Sequence, residues 1–366
     1  MRDRLWKAVT EDGEYAAVDL VTEALDTGWD EENLLLDVVA AVQAEVGVAW
    51  AAGRITVAQE HAATAINDRV VAALVHARAA RRRDGATPRG RVTVACADGE
   101  WHAFPARLVA EVLRLRGWHV DYLGAQTPTP HLVAHLHATA PDAVLLSCSL
   151  PTRLPAAHAA VTACQAVGVP VLAGGRAFGT DGRLAHALGA DGWAPDARGA
   201  AALLAAGVPR PVPAAIRHTV EDLPHLADQE YTAVLRSRAD LVRRTLADLE
   251  ARFPAMTGYS AAQRERTAED VAHIVEFLTT ALYVNDAGVF SSFLTWTADL
   301  LTARSVAADS LLTALDSLGG QLRDFPRALG LLHAGADAVR GHLDPDAVTG
   351  GTAGADGGRE PDRAGA

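Results

Sequence analysis

Apolar residues recur every three or four positions through Leu34, Leu35, Leu36, Val38, Val39, Val42, Val46 and Trp50. That spacing predicts a helix with a broad apolar face. It returns in the run 57–83 at Ile66, Val70, Val71, Leu74 and Val75. Thr56 stands before this run as an N-cap, with Gln59 as its capping-box partner. Residues 1–83 therefore predict a bundle of about four helices. The periodicity stops at 81–90, RRRDGATPRG, a basic stretch with the Gly and Pro of a linker.

From Arg91 the pattern changes to short β-branched runs at 92–96, 119–123, 143–147 and 169–173, with a fifth near 192–194. Helical stretches at 103–117, 128–139, 153–167 and 197–206 alternate with them. This alternation predicts a doubly wound parallel sheet with helices on both faces, a Rossmann-like α/β domain. Pro209, Pro211 and Pro213 form a stiff connector. Residues 219–340 carry roughly six helical segments without a strand pattern. The tail from Asp344 is rich in Gly, Ala and Asp and is expected to be disordered. The expected organisation is a multi-domain α and α/β chain: a helical bundle over 1–83, an α/β domain over 90–208, a helical domain over 216–343 and a tail over 344–366.

A chain of 366 residues has room for two or three such units. It is 49% apolar, yet no uninterrupted apolar run approaches the length of a membrane span, and MRDRLWKAVTEDGEY at the start has no signal-peptide core. The expectation is a cytoplasmic protein with no membrane contact. The net charge of −12 and the lack of aromatic residues among Arg81, Arg82 and Arg83 argue against direct nucleic-acid binding. Cys96, Cys148 and Cys164 offer no CxxC pair and no disulfide framework.

The loop after the first strand reads ADGEWHAFP, placing His102 at the carboxyl end of the sheet, where open α/β domains bind ligands. Glu100, two residues earlier, is placed to orient the ring and raise its basicity. The third strand ends in Ser147-Cys148-Ser149-Leu150 and the fourth in Gly174-Gly175, where missing Cβ atoms let a bulky ligand approach the backbone. The E-x-H loop, the Ser-bearing strand end and the Gly-Gly strand end, with Gly124-Ala125-Gln126-Thr127-Pro128 between them, together resemble the cobalamin-binding domain of methionine synthase, corrinoid carriers and cobalamin photoreceptors. The resemblance implies His102 as lower cobalt ligand, and Glu100, Trp101, Ser147, Ser149, Gly174 and Gly175 as cofactor-binding residues. Pro105 stands where that family has Gly, and Ser149 where Leu is usual; Pro105 is expected to start the following helix at its first position. No G-x-G-x-x-G follows a strand, so a nicotinamide or flavin site is disfavoured.

In the bundle, Trp50 and the pair Glu60-His61 are spaced as W-x9-EH. This pattern before a cobalamin domain resembles the light-responsive adenosylcobalamin repressors, and implies that Trp50, Glu60 and His61 surround the adenosyl group above the cobalt. Those repressors carry a His directly after the Trp; here the position is Ala51. They also begin with a DNA-binding winged helix that has no counterpart here.

Aromatic residues make up only 5% of the chain, yet Phe277, Tyr283, Phe290, Phe293 and Trp296 fall within one short stretch. With Asp270, His273 and Arg304 they resemble globin-like sensor domains, and the three-part arrangement resembles the photocobilins, which pair cobalamin with biliverdin. The resemblance implies a light receptor holding adenosylcobalamin and, through His273, Phe277, Trp296 and Arg304, biliverdin; Arg236 and Arg238 are further candidates for its propionates. With no cysteine beyond Cys164, that bilin would be non-covalent, and heme on His273 is the competing ligand. The chain is expected to be no enzyme, to form a light-dependent homo-oligomer, most simply a dimer, and to signal to a downstream protein that the sequence does not identify. The alternatives are a corrinoid methyl-carrier subunit of a methyltransferase system, or a cobalamin sensor with a heme-binding or structural C-terminal domain.

Overall fold

The computed structural model describes residues 1–81, 88–211, 228–252, 256, 258–304 and 306–344. The linker at 82–87, Pro213 and the tail beyond 344 lie outside the described residues.

The first unit is a bundle of four helical rods. Rod α1 runs Arg2–Lys7 and continues as Ala8–Asp12; α2 is Glu14–Asp26; α3 is Glu31–Ala51; α4 is Val57–Arg81. Leu5, Val21, Leu34, Leu35, Val39, Val46, Val70, Val71 and Leu74 close its core. The Thr56 capping box forms as expected: the Gln59 amide donates to the Thr56 hydroxyl oxygen at 3.2 Å, and the Thr56 amide to Gln59 Oε1 at 2.9 Å. Helix α3 is long and apolar enough to cross a membrane by length and composition; interruptions by Asp37, Gln43 and Glu45 hid this from a search for unbroken apolar runs. Its most apolar side, from Leu34 to Val46, is buried against the other three rods.

The second unit holds five parallel strands, β1 Arg91–Cys96, β2 His119–Gly124, β3 Ala143–Ser147, β4 Val171–Gly174 and β5 Gly192–Ala194. Their order is β2-β1-β3-β4-β5. Val92, Val94 and Cys96 bury themselves on one face with Ala106, Ala110 and Leu113 of α5 (Ala103–Leu115) and with Leu204 of α9 (Ala197–Ala206). Ala95, Val144 and Leu146 bury themselves on the other, with α6 (Thr129–Thr139) and α7 (Leu154–Ala166). A short helix α8, Arg183–Ala187, precedes β5. Strand β4 starts two residues later than expected. Pro170 has no N–H for the ladder, and the Asp191 carboxylate takes the Val171 amide at 2.8 Å instead. Pro105 is the third residue of α5, not the first; no intrahelical partner is needed there either.

The bundle is fastened to this domain at Glu111 of α5, whose fully buried carboxylate receives Arg78 of α4 at 2.6 Å together with Arg107 and Arg114. Phe104 and Leu108 of the same helix complete the bundle core.

Among its described residues the C-terminal region contains five helices: α10 Glu230–Arg252, α11 Ala261–Val284, α12 Ala287–Ala303, α13 Asp309–Gln321 and α14 Pro326–Leu343. It does not stand apart from the sheet. Leu154, Ala157 and Val161 of α7 belong to the same apolar core as Leu278, Leu282 and Phe290. His158 of α7 shares a 2.7 Å hydrogen bond with the Tyr283 hydroxyl inside that core. The sequence could show separate periodic segments but not that two of them share one interior.

Candidate functional site

In a 2-1-3-4-5 sheet the connections leaving β1 and β3 run in opposite directions, so their loops part and leave a crevice at the carboxyl edge. The loop after β1 turns sharply at Gly99, whose φ of +74° few other residues adopt. The turn sends Glu100 inward, fully buried, and leaves Trp101 71% exposed.

Glu100 joins the two loops. Its Oε2 accepts the backbone N–H of Ser149 at 2.7 Å and of Leu150 at 2.9 Å. Its Oε1 accepts the His102 amide at 2.8 Å and lies 2.7 Å from His102 Nδ1. Burial alone raises a carboxyl's pKa; here the bonds from His102, Leu150 and Ser149 outweigh it and hold Glu100 down to about 2. An ionised carboxylate fixes the imidazole with its proton on Nδ1, which leaves the Nε2 lone pair as a ligand. The same hydrogen bond raises the His102 pKa, helped by the nearby charge of Glu60 and opposed by burial and Arg176. The His102 side chain is 56% exposed and open to a ligand. Glu60 belongs to the bundle, and its charge acts on His102 across the boundary between the two units.

Ser147 ends β3 beside Cys96 and Gly174. Gly174 has ordinary room for a Cβ, 3.5 Å from the Ala194 carbonyl oxygen. Gly175 does not: its φ is +104°, and a Cβ there would collide with the Cys148 carbonyl. The missing Cβ at Gly175 is thus required by the chain's own backbone crossing, whatever ligand approaches it. Burial pushes the Cys96 thiol up to about 12 and Cys148 well above its usual value, so neither offers a thiolate at neutral pH.

On the bundle side, Glu60 accepts the Thr64 hydroxyl at 2.9 Å and pairs with His61, whose side chain is exposed. Trp50, in the last turn of α3, is half-buried and does not belong to the bundle core. It meets the C-terminal region instead. Its ring lies 6.3 Å from that of Trp296, and the Arg304 guanidinium sits 5.7 Å over it. From Trp296 the aromatic contacts continue to Phe293 at 6.4 Å and to Phe277, stacked on Phe293 at 3.8 Å. His273 is exposed on α11 near Asp270, whose carboxyl is raised by its packed surroundings more than His273 and Arg304 lower it.

Two expected slot residues are placed elsewhere. Phe290 is fully buried in the core, and Tyr283 is committed to His158 and to the Tyr231 ring at 5.0 Å. Arg238 pairs with Glu276 at 3.5 Å. Arg304, expected at a propionate, lies on Trp50. Sequence reasoning missed this meeting of Trp50, Trp296 and Arg304, because no local pattern links positions nearly 250 apart.

Among the described residues no group of three or more His, Cys, Asp or Glu is arranged to hold a metal ion. A single oriented imidazole suits a metal that brings its own equatorial nitrogens, as cobalt in a corrin does. The exposed faces of Trp101 and Leu150 beside it are apolar surface of the kind such a macrocycle covers. The residues present fit cobalamin, for which His102 would supply the protein's ligand.

Comparison with known proteins agrees. Residues 90–202 match the family described as B12 binding domain, and residues 1–75 match a second family of the same description. These two matches support cobalamin as the ligand of the chain. No curated protein matches the chain. Among solved structures, the chain is similar to the monomethylamine corrinoid protein of Methanosarcina barkeri, at 20% identity and a TM-score of 0.47 over 55% of this chain and 95% of that one. It is similar to the methanol:cobalamin methyltransferase complex of Methanosarcina barkeri, at 22% identity and 0.30, covering 56% and 77%. A cobalamin-binding protein of Desulfitobacterium hafniense shows 18% identity and 0.32, covering 57% and 99%. Likenesses at these identities and scores say nothing about function.

Proposed function

We propose that the protein is a light receptor that holds adenosylcobalamin between the bundle and the carboxyl edge of the sheet. The observation that carries this reading is Trp50: a bulky indole at the end of α3, outside its own bundle core, on the unit whose Glu60 charge acts on His102. A carrier that passes methyl groups to another protein needs an open upper face, whereas a large aromatic cap suits a large upper ligand. When bound, adenosylcobalamin supplies a cobalt–carbon bond that green or shorter-wavelength light breaks.

The chain's own residues then have distinct tasks. Glu100 holds the imidazole, His102 would offer Nε2 to the cobalt, and Trp50 and Glu60 would face the adenosyl group. Trp50 would pack against the adenosyl group of bound adenosylcobalamin, and loss of that contact would free the bundle to shift against the α/β domain. A shift at such an interface changes the surface offered to a second copy or to a downstream protein. Ala51 supplies no imidazole beside Trp50, so His61 or water would take that place.

For the C-terminal helices we propose non-covalent biliverdin, supported by Phe277 and Phe293 stacked beside the 42% exposed Trp296, with His273 exposed on the neighbouring helix. Full-length protein is mixed with biliverdin and its spectrum recorded before and after denaturation. A red or far-red band that leaves the protein on denaturing gels supports the assignment. No band, or a heme Soret band in protein made without added bilin, reduces the C-terminal region to a heme-binding or structural part.

A further inference from the structure

Trp50 follows Ala49, the last buried residue of α3, and precedes a turn through Gly53, whose φ is +68°. The backbone of this turn is fixed by the Thr56 cap that starts α4. The indole is not fixed by it, because Val42, Val46 and Ala49 take the inward face of α3. What holds the ring comes from α12. Trp296 meets it at 6.3 Å with the planes tilted by 36°, and Arg304 lies 5.7 Å over it. The end of α12 abuts the same turn: a Cβ on Gly53 would stand 3.7 Å from the Ala303 carbonyl oxygen. Trp296 is anchored in turn through Phe293 to Phe277. The support behind Trp50 therefore reaches into the core that the C-terminal helices share with the sheet.

An indole free to change rotamer loses that freedom when a ligand packs against it, which weakens binding. An indole already held in place loses little. This difference is felt only by an upper ligand large enough to touch the ring. We propose that Trp296 and Arg304 are positioning residues for Trp50, and that this clamp makes the upper face of bound cobalamin selective for a bulky organic ligand over a small one. The proposal rests on the cobalamin reading above and assigns the C-terminal helices a part in ligand choice whether or not they hold a second chromophore.

The test uses the full chain in the dark with two probes, adenosylcobalamin and hydroxocobalamin, and the variants Trp296→Leu, Arg304→Gln and Arg304→Lys. Trp296→Leu is expected to weaken adenosylcobalamin by about tenfold, and Arg304→Gln by about threefold, with hydroxocobalamin changed less than about twofold. Arg304→Lys keeps a cation over the ring and should restore the wild-type ratio. Arg304 is exposed, so its variants test the idea even if Trp296→Leu folds poorly. A second reading needs no cofactor: two indoles at 6.3 Å give a coupled pair of circular-dichroism bands, lost in Trp296→Leu and kept in Arg304→Lys. If both corrinoids bind but their affinity ratio is unchanged in Trp296→Leu and Arg304→Gln, the clamp is overturned and the cobalamin reading stands. If the wild-type chain binds neither, the reading itself is overturned and the clamp with it.

Discussion

The carboxylate of Glu100 is fully buried and lies 2.7 Å from Nδ1 of His102, so the group that aims the imidazole is itself withdrawn from water. Its other oxygen ties down the loop after β3, which makes one side chain responsible both for ligand orientation and for the shape of the crevice.

Glu100→Gln should therefore damage both. The amide NH2 would face backbone N–H donors on one side or the imidazole N–H on the other. Loss of charge-assisted bonds of this kind costs about 2–3 kcal/mol of stability. Removal of a carboxylate behind a metal-bound His weakens metal affinity by about 10–100-fold. Urea denaturation and a cobalamin titration of the same variant check the two losses. Full stability with wild-type affinity would contradict the role given to Glu100.

The cofactor-free chain should show the pair in its pH dependence. Glu100 titrates near 2 when folded against an ordinary 4.5, so its contribution, about 3 kcal/mol, is complete above 4.5 and is lost as pH falls toward 2. His102 is raised, so its contribution is complete below its ordinary 6.5 and is lost as pH rises through its folded pKa. Stability from this pair is greatest between those two ordinary values. Denaturation midpoints at acidic, mildly acidic and alkaline pH, compared between wild type and Glu100→Gln, should differ most in the middle range and converge at low pH.

Much of this pair could be read from the sequence, because Glu100 and His102 are near neighbours and the strand pattern fixes which sheet edge they occupy. The strands themselves were legible because both faces of a parallel sheet are buried, and buried runs such as Val92, Val94 and Cys96 stand out from the helices around them. The bonds from Ser149 and Leu150 to Glu100 were not legible, since they depend on two loops converging in space. The backbone reason for Gly175 was not legible either, because the Cys148 carbonyl that forbids a Cβ is a tertiary neighbour. The same applies to Tyr283 and Phe290: an aromatic cluster looks alike in a string of letters whether it lines a slot or fills a core.

Glu111→Ala should loosen the bundle from the sheet domain. It would leave Arg78, Arg107 and Arg114 around a buried space without the carboxylate that neutralises them. Breaking a buried ionic cluster from one side costs about 3–5 kcal/mol. Thermal unfolding should show the loss, and limited proteolysis should release the bundle. A variant as stable and protease-resistant as wild type would show that apolar contacts through Phe104 and Leu108 suffice.

Trp50→Ala should still bind cobalamin, because His102 and Glu100 are untouched, but should no longer convert loss of the adenosyl group into domain movement. The indole surface that senses the vacated space would be gone. Size-exclusion chromatography in the dark and after green light measures this. An elution shift equal to that of wild type would remove Trp50 from the signalling path.

The most direct test of the whole account is the visible spectrum of the full-length chain with adenosylcobalamin, recorded in the dark and after green light for wild type and for His102→Ala. The account predicts a spectrum of histidine-ligated cobalamin in wild type, a stable light-induced change, and loss of the histidine-ligated form with greatly reduced affinity in His102→Ala. A His102→Ala protein with the wild-type spectrum and affinity, or a wild-type chain whose bound cobalamin is indifferent to green light, would contradict it.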